Sequence, residues 1–177
     1  IGRRLAEKAP RQNLEYRFFV VEMSEPNAFA LPGGYIYVSR GLLALLNSED
    51  ELANVIGHEI GHVAARHSVA RQTRSVPLIP VQVAAALGGM AASIVSPRLG
   101  SMIAGTGQLP GALAMASYSR NQEREADRLG QDYAAAGGWS PAALGDFMQT
   151  LAREEALAED APQRISFLAS HPSSPER

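Results

Sequence analysis

An α+β fold, mostly helical with a small antiparallel sheet, follows from three features of the sequence. A helix-forming stretch carries the pentapeptide His58-Glu59-Ile60-Gly61-His62. Upstream, two short segments rich in Tyr, Phe, Ile and Val read as strands, with a Pro-Gly-Gly turn before the second. Most of the chain after residue 119 reads as further helices, and no internal repeat interrupts it. The 177 residues suit one domain able to bury a proper core.

Taken in order, residues 2–9 are charged and expected to be helical. Residues 14–22 are the first strand, broken by Pro26 and Asn27. Pro32-Gly33-Gly34 turns the chain, and Tyr35-Ile36-Tyr37-Val38-Ser39 alternates as a second strand, expected to pair antiparallel with the first. Alternation puts Tyr35 and Tyr37 on one face and Ile36 and Val38 on the other, so one set at most lies inward. Residues 42–46 begin helical structure. Ser48 followed by Glu51 fits a capping box, and three acids in the first turn suit the positive end of the helix dipole. Leu52, Val55, Ile56, Ile60, Val63 and Ala64 then recur at helical spacing, which predicts a helix over residues 48–72, with Pro77 barring continuation. Further helices are expected over residues 120–136, 141–159 and 165–169.

The pentapeptide carries the chemistry. Residues four apart on a helix lie on one face, so His58 and His62 can aim two imidazoles at one metal ion. Glu59 is placed beside them to take a proton from a metal-bound water, the arrangement of an H-E-x-x-H zinc peptidase. Gly57 and Gly61 each cost about 1 kcal/mol against alanine in a helix interior. They share one stripe, which predicts close approach of another backbone. Catalytic zinc usually takes three protein ligands and a water. The chain has no cysteine and four histidines, so the third ligand is a His, Glu or Asp. His67 lies five residues past His62, on a different face, and cannot join from that helix. Glu123 and Asp127 are four apart and share a face, so one could ligate while the other accepts a histidine N–H. Spacing alone leaves an ordinary solvated acidic face equally open.

Composition excludes other classes. The net charge is −2, with no basic stripe and few aromatics, which argues against nucleic acid as a partner. Without cysteine there are no disulfides and no zinc–thiolate sites. Residues 75–119 carry Arg98 as their sole charge and are rich in small apolar residues. Residues 75–97 have the length of a membrane span, but Gly88-Gly89 and two early prolines weaken that reading. A two-helix lid over the cleft, or a hairpin touching a membrane surface, fits better. Apolar surface there also predicts self-association. No signal-peptide pattern opens the chain. Both ends read as processing boundaries of one domain, residues 1–177; the family pattern that the motifs below resemble continues past Arg177, which implies a catalytic domain cut from a longer precursor.

Four blocks together carry a resemblance: residues 27–43, the H-E-x-x-H helix with Arg66-His67 after it, Glu123-x-x-x-Asp127, and His171-Pro172. In this order they resemble the gluzincin peptidases that include CAAX prenyl proteases, HtpX and periplasmic BepA-type proteases, the last branch most of all. The resemblance implies a zincin-like core and one zinc ion held by His58, His62 and Glu123. Asp127 becomes the partner behind a ligand, and Glu59 the general base. Glu125, the local competitor of Glu123, is out of register with Asp127. In relatives of this kind an edge strand aligns the substrate, which implies substrate-binding roles for Gly34, Tyr35, Ile36, Tyr37 and Val38. The His-Pro histidine of BepA-like relatives can reach the open zinc position, which implies His171 as an inhibitory fourth ligand. An arginine follows it in the family, which makes Arg177 a candidate oxyanion stabiliser. The implied activity is endopeptidase cleavage of misfolded or mis-assembled cell-envelope proteins, in the bacterial periplasm or at its membranes. The alternative is a chaperone-like or scaffold module whose zinc site His171 locks. A CAAX-type prenyl protease fits less well, since this chain has no room for the many membrane helices of those relatives.

Overall fold

The structure is a computed structural model and describes residues 1–67, 118–157 and 166–171. The chain divides into two units, residues 1–68 with 117–177 and residues 69–116, and the described residues all lie in the first. The expected apolar lid or membrane-contacting hairpin therefore falls outside the described residues, apart from Tyr118 and Ser119. Arg177 falls outside them too. The described elements are α1 (Gly2–Ala6), β1 (Arg17–Val21), β2 (Ala28–Leu31), β3 (Tyr35–Ser39), α2 (Arg40–Leu45), α3 (Glu49–Ala64), α4 (Arg120–Ala136), α5 (Ala143–Leu157) and α6 (Ser166–Ser170).

The sheet is mixed, in the order β1-β3-β2. β3 runs parallel to β1, with Phe18 opposite Ile36, and antiparallel to β2, with Ala30 opposite Ile36. This corrects the expected antiparallel pairing of the first strand with Tyr35–Ser39. The segment after Pro26 and Asn27 is itself a strand, so the chain reverses twice between β1 and β3 and returns in the original direction. Gly33 and Gly34 make the second reversal at φ 98° and 88°, backbone that side chains rarely adopt. A Cβ on Gly34 would also stand 2.7 Å from the Glu15 carbonyl oxygen. Alternation holds: Ile36 and Val38 are buried with Ala28 and Ala30, while Tyr35 and Tyr37 stack with Phe19 and Phe29 on the other face. β3 is the central strand, so both its edges are taken. The expectation that it is the edge to which a substrate adds is corrected: among the described residues the edge strands are β1 and β2.

The buried Ser39 hydroxyl joins these elements. It accepts N–H bonds from Asn27 at 2.8 Å and Leu42 at 3.0 Å and donates to the Glu25 carbonyl at 2.8 Å. It thereby caps α2 and locks the entry to β2.

Ser48 caps α3, its hydroxyl accepting the Glu51 N–H. Residues 53–63 are buried without a break, so α3 is a core helix rather than an amphipathic surface one. It ends at Ala64, short of the expected residue 72, because Arg66 adopts φ 59° and turns the chain out of helical geometry. Residues 68–72 lie outside the described set. α4 opens with a full capping box between Ser119 and Gln122.

α3 and α4 form the most extensive helix contact of the described residues. A Cβ on Gly57 would stand 2.8 Å from the Gly130 carbonyl oxygen, and one on Gly61 2.9 Å from that of Ala126. The stripe of glycines thus admits another backbone, as its spacing predicts. The turn after α4 is tied to the start of α3. Trp139 Nε1 donates to Glu49 at 2.9 Å, and Asn54 donates to the Ser140 carbonyl at 2.8 Å. The sequence-based helix boundaries of α4, α5 and α6 hold to within about two residues.

Candidate metal centre

Two turns in the middle of a buried helix set the first two donors. His58 and His62 are almost wholly inaccessible, and their Nε2 atoms lie 3.0 Å apart. The close α3–α4 contact brings Glu123 beside them, also fully buried. Its Oε1 stands 3.3 Å from His62 Nε2, and its Oε2 stands 3.6 Å from His58 Nε2. His171 follows α6, whose start is pinned by a 3.0 Å bond from the Phe167 N–H to the Pro26 carbonyl. Its Nδ1 is 3.1 Å from His58 Nε2 and 3.2 Å from Glu123 Oε1. The phenyl ring of Phe167 stacks on the His171 ring at 4.6 Å.

These four residues form a buried cluster whose donor atoms all lie within 4.8 Å of one another. Tetrahedral zinc, at about 2.0–2.1 Å from N and O donors, requires donors about 3.3–3.4 Å apart. The observed separations bracket that value. Proton placement points the same way. Asp127 Oδ1 accepts the Nδ1–H of His58 at 2.9 Å, which leaves Nε2 as a bare lone pair aimed into the cluster. A lone pair set among other imidazole nitrogens and a carboxylate suits a cation between them. The cluster fits one zinc ion.

Glu59, on the same helix, is fully buried, and its Oε1 is 3.4 Å from His171 Nε2. His171 thus reaches the donor cluster with one ring nitrogen and the Glu59 carboxylate with the other.

Burial depresses the His62 pKa well below the usual imidazole value; the bond from Glu123 opposes this without overcoming it. Burial also disfavours the charged form of Glu123. The His171 and His62 imidazoles packed against its oxygens outweigh burial and hold the carboxyl far below the usual carboxylate range.

The structure therefore brings together His58, Glu59, His62, Glu123, Asp127 and His171. Glu125 stays out of the cluster, as its register implies. Two contacts escape a reading of the sequence. The Tyr118 ring stacks on His62 at 3.8 Å, and His67 Nδ1 lies 3.0 Å from His62 Nδ1. Helical spacing sets His67 apart from the ligands, and it lies outside the donor group; the break at Arg66 brings it to His62 from behind.

Peptidase family M48 matches residues 1–177. The chain is 34% identical over 176 residues to the beta-barrel assembly-enhancing protease of Escherichia coli (strain K12), covering 97% of this chain and 35% of that protein. It is 33% identical over 182 residues to the metalloprotease YcaL of the same organism, covering 99% and 66%. It is 30% identical over 177 residues to the mitochondrial metalloendopeptidase OMA1 of Schizosaccharomyces pombe, covering 99% and 48%. The chain spans about a third of the length of the beta-barrel assembly-enhancing proteases it matches.

Proposed function

The chain belongs to peptidase family M48, and from that membership we propose that it is a zinc-dependent endopeptidase acting on misfolded or mis-assembled cell-envelope proteins. The observation that carries this reading is the buried His58–His62–Glu123 donor set with Glu59 beside it. Zinc, when bound there, supplies Lewis acidity: it polarises a peptide carbonyl and acidifies water. Glu59 takes the proton of the attacking water on its carboxylate and returns it to the leaving amine. Asp127 holds the His58 ring in the ligating tautomer through the Nδ1–H bond. A substrate-aligning role falls to an edge strand rather than to Gly34–Val38, and β2 is the edge strand packed on α3.

The substrate class and a periplasmic or envelope location rest on relatives named beta-barrel assembly-enhancing protease. The 177 residues would be the catalytic domain of such a protein. Among the described residues no helix is long and apolar enough to cross a membrane. Contact with a membrane surface and self-association would fall to residues 75–119, and an oxyanion role to Arg177, all beyond the described residues save Tyr118 and Ser119.

A second reading has its own observation. His171 is the fourth member of the donor group and lies 3.4 Å from Glu59; with zinc bound it would occupy the places an attacking water must use. His171 would then hold the site closed until its tail moves. If nothing releases it, the domain acts as a binding or scaffold module.

Casein hydrolysis by the zinc-loaded parent, Glu59→Gln, His171→Ala and the double variant separates these readings. Cleavage by the parent, or by His171→Ala alone, that disappears with Glu59→Gln supports the peptidase. Zinc-bound protein silent in both the parent and His171→Ala favours the scaffold.

A further inference from the structure

We propose that His67 is a positioning residue for the metal ligand His62, acting with Glu125 as an outer hydrogen-bond relay that turns the His62 Nε2 lone pair towards the metal. This rests on the zinc reading of the cluster and adds two residues to it.

The proton bookkeeping runs inward from the surface. Glu125 is an acceptor, half exposed, and its Oε2 lies 3.2 Å from His67 Nε2. His67 must therefore carry its proton on Nε2. In the neutral ring this leaves His67 Nδ1 as an acceptor. His62 Nδ1, 3.0 Å away, must then donate. With its proton on Nδ1, His62 presents a bare Nε2, the atom that faces His58 Nε2 and Glu123. A single anionic group at the surface thus sets the tautomer of a buried ligand through one intervening ring.

The backbone is built for this contact. Five residues along a continuous helix would carry His67 well round from His62. Arg66 instead takes φ 59°, a left-handed conformation that a non-glycine residue rarely adopts. The turn swings His67 back under His62, where it is 4% exposed. The Tyr118 ring covers both imidazoles, 3.8 Å from His62 and 6.2 Å from His67.

Asp127 does the same for His58 directly. Glu123, Glu125 and Asp127 thus divide the work of one helix: one ligates, and two orient the ligands of α3. The outer nitrogen of His58 meets a carboxylate directly, whereas that of His62 meets His67, which in turn meets Glu125.

The test is zinc affinity by chelator competition for the parent, His67→Phe, His67→Gln and Glu125→Ala, with the thermal midpoint of each metal-free protein alongside. We expect His67→Phe to bind zinc roughly 10–100-fold more weakly, the usual cost of losing such a partner. His67→Gln, whose amide oxygen can still accept the His62 N–H, should recover most of that loss. Glu125→Ala should fall between the parent and His67→Phe with an unchanged thermal midpoint. Parent-like affinity in His67→Phe overturns the relay, and so does a Gln variant as weak as the Phe variant, since packing alone would then explain the contact. A parent that binds no zinc overturns the metal reading itself, which the parent measurement reports independently of any variant.

Discussion

A Cβ on Gly130 would stand 2.5 Å from the backbone nitrogen of His58, so α3 and α4 meet backbone to backbone at the first residue of the donor cluster. This closeness sets how deeply Glu123 and Asp127 reach from α4. Gly130→Ala cannot be absorbed by a side-chain rotation, because the obstructing atom is main chain. We expect it to lower the stability of the metal-free protein by about 1–3 kcal/mol, in the range of overpacked cores, and to weaken zinc binding. Urea denaturation and chelator competition check both; stability and affinity equal to the parent would show slack between the helices.

Asp127 holds the outer nitrogen of His58 at 2.9 Å. Asp127→Ala should reduce zinc affinity roughly 10–100-fold. Asp127→Asn, which keeps an acceptor oxygen without the charge, should lose less. Equal losses in the two would mean that charge, rather than orientation, is what Asp127 contributes.

The metal-free protein should lose stability in acid. Burial depresses the His62 pKa, and the neighbouring His171 and His62 imidazoles depress that of Glu123 against its burial, so both bind fewer protons folded than unfolded. For each the stability slope with pH is then positive. The contribution of His62 is complete above its unfolded value of 6.5 and is lost as pH falls below it; that of Glu123 begins to be lost below 4.5. Thermal midpoints of chelated protein from pH 8 to pH 4 should be level at first and then decline. A midpoint that rises on acidification from pH 7 to pH 5 would contradict this sign.

What the sequence made legible is local. The cap at Ser48, the helical spacing of His58 and His62, and the shared face of Glu123 and Asp127 all follow from short-range rules, and all hold in three dimensions. The glycine stripe announced a close neighbour without naming it; Gly130, from a distant part of the chain, supplies the other half. The expected sheet lacks β2 because Ala28–Leu31, four residues long, sits between two turn signals. Once it is counted, the direction of β3 against β1 reverses. Helical geometry would carry His67 away from His62, and one left-handed residue, Arg66, brings it back. Left-handed backbone at an arginine has no signature in sequence, because its cost is met by contacts formed only in the fold.

The most direct test is zinc stoichiometry by elemental analysis after exhaustive dialysis, for the parent, Glu59→Gln, and Glu123→Ala. The donor cluster predicts one zinc per chain in the parent and in Glu59→Gln, whose carboxylate is not among the four donors, and loss of bound zinc in Glu123→Ala. Zinc retained at one per chain in Glu123→Ala, or absent from the parent, would contradict the site described.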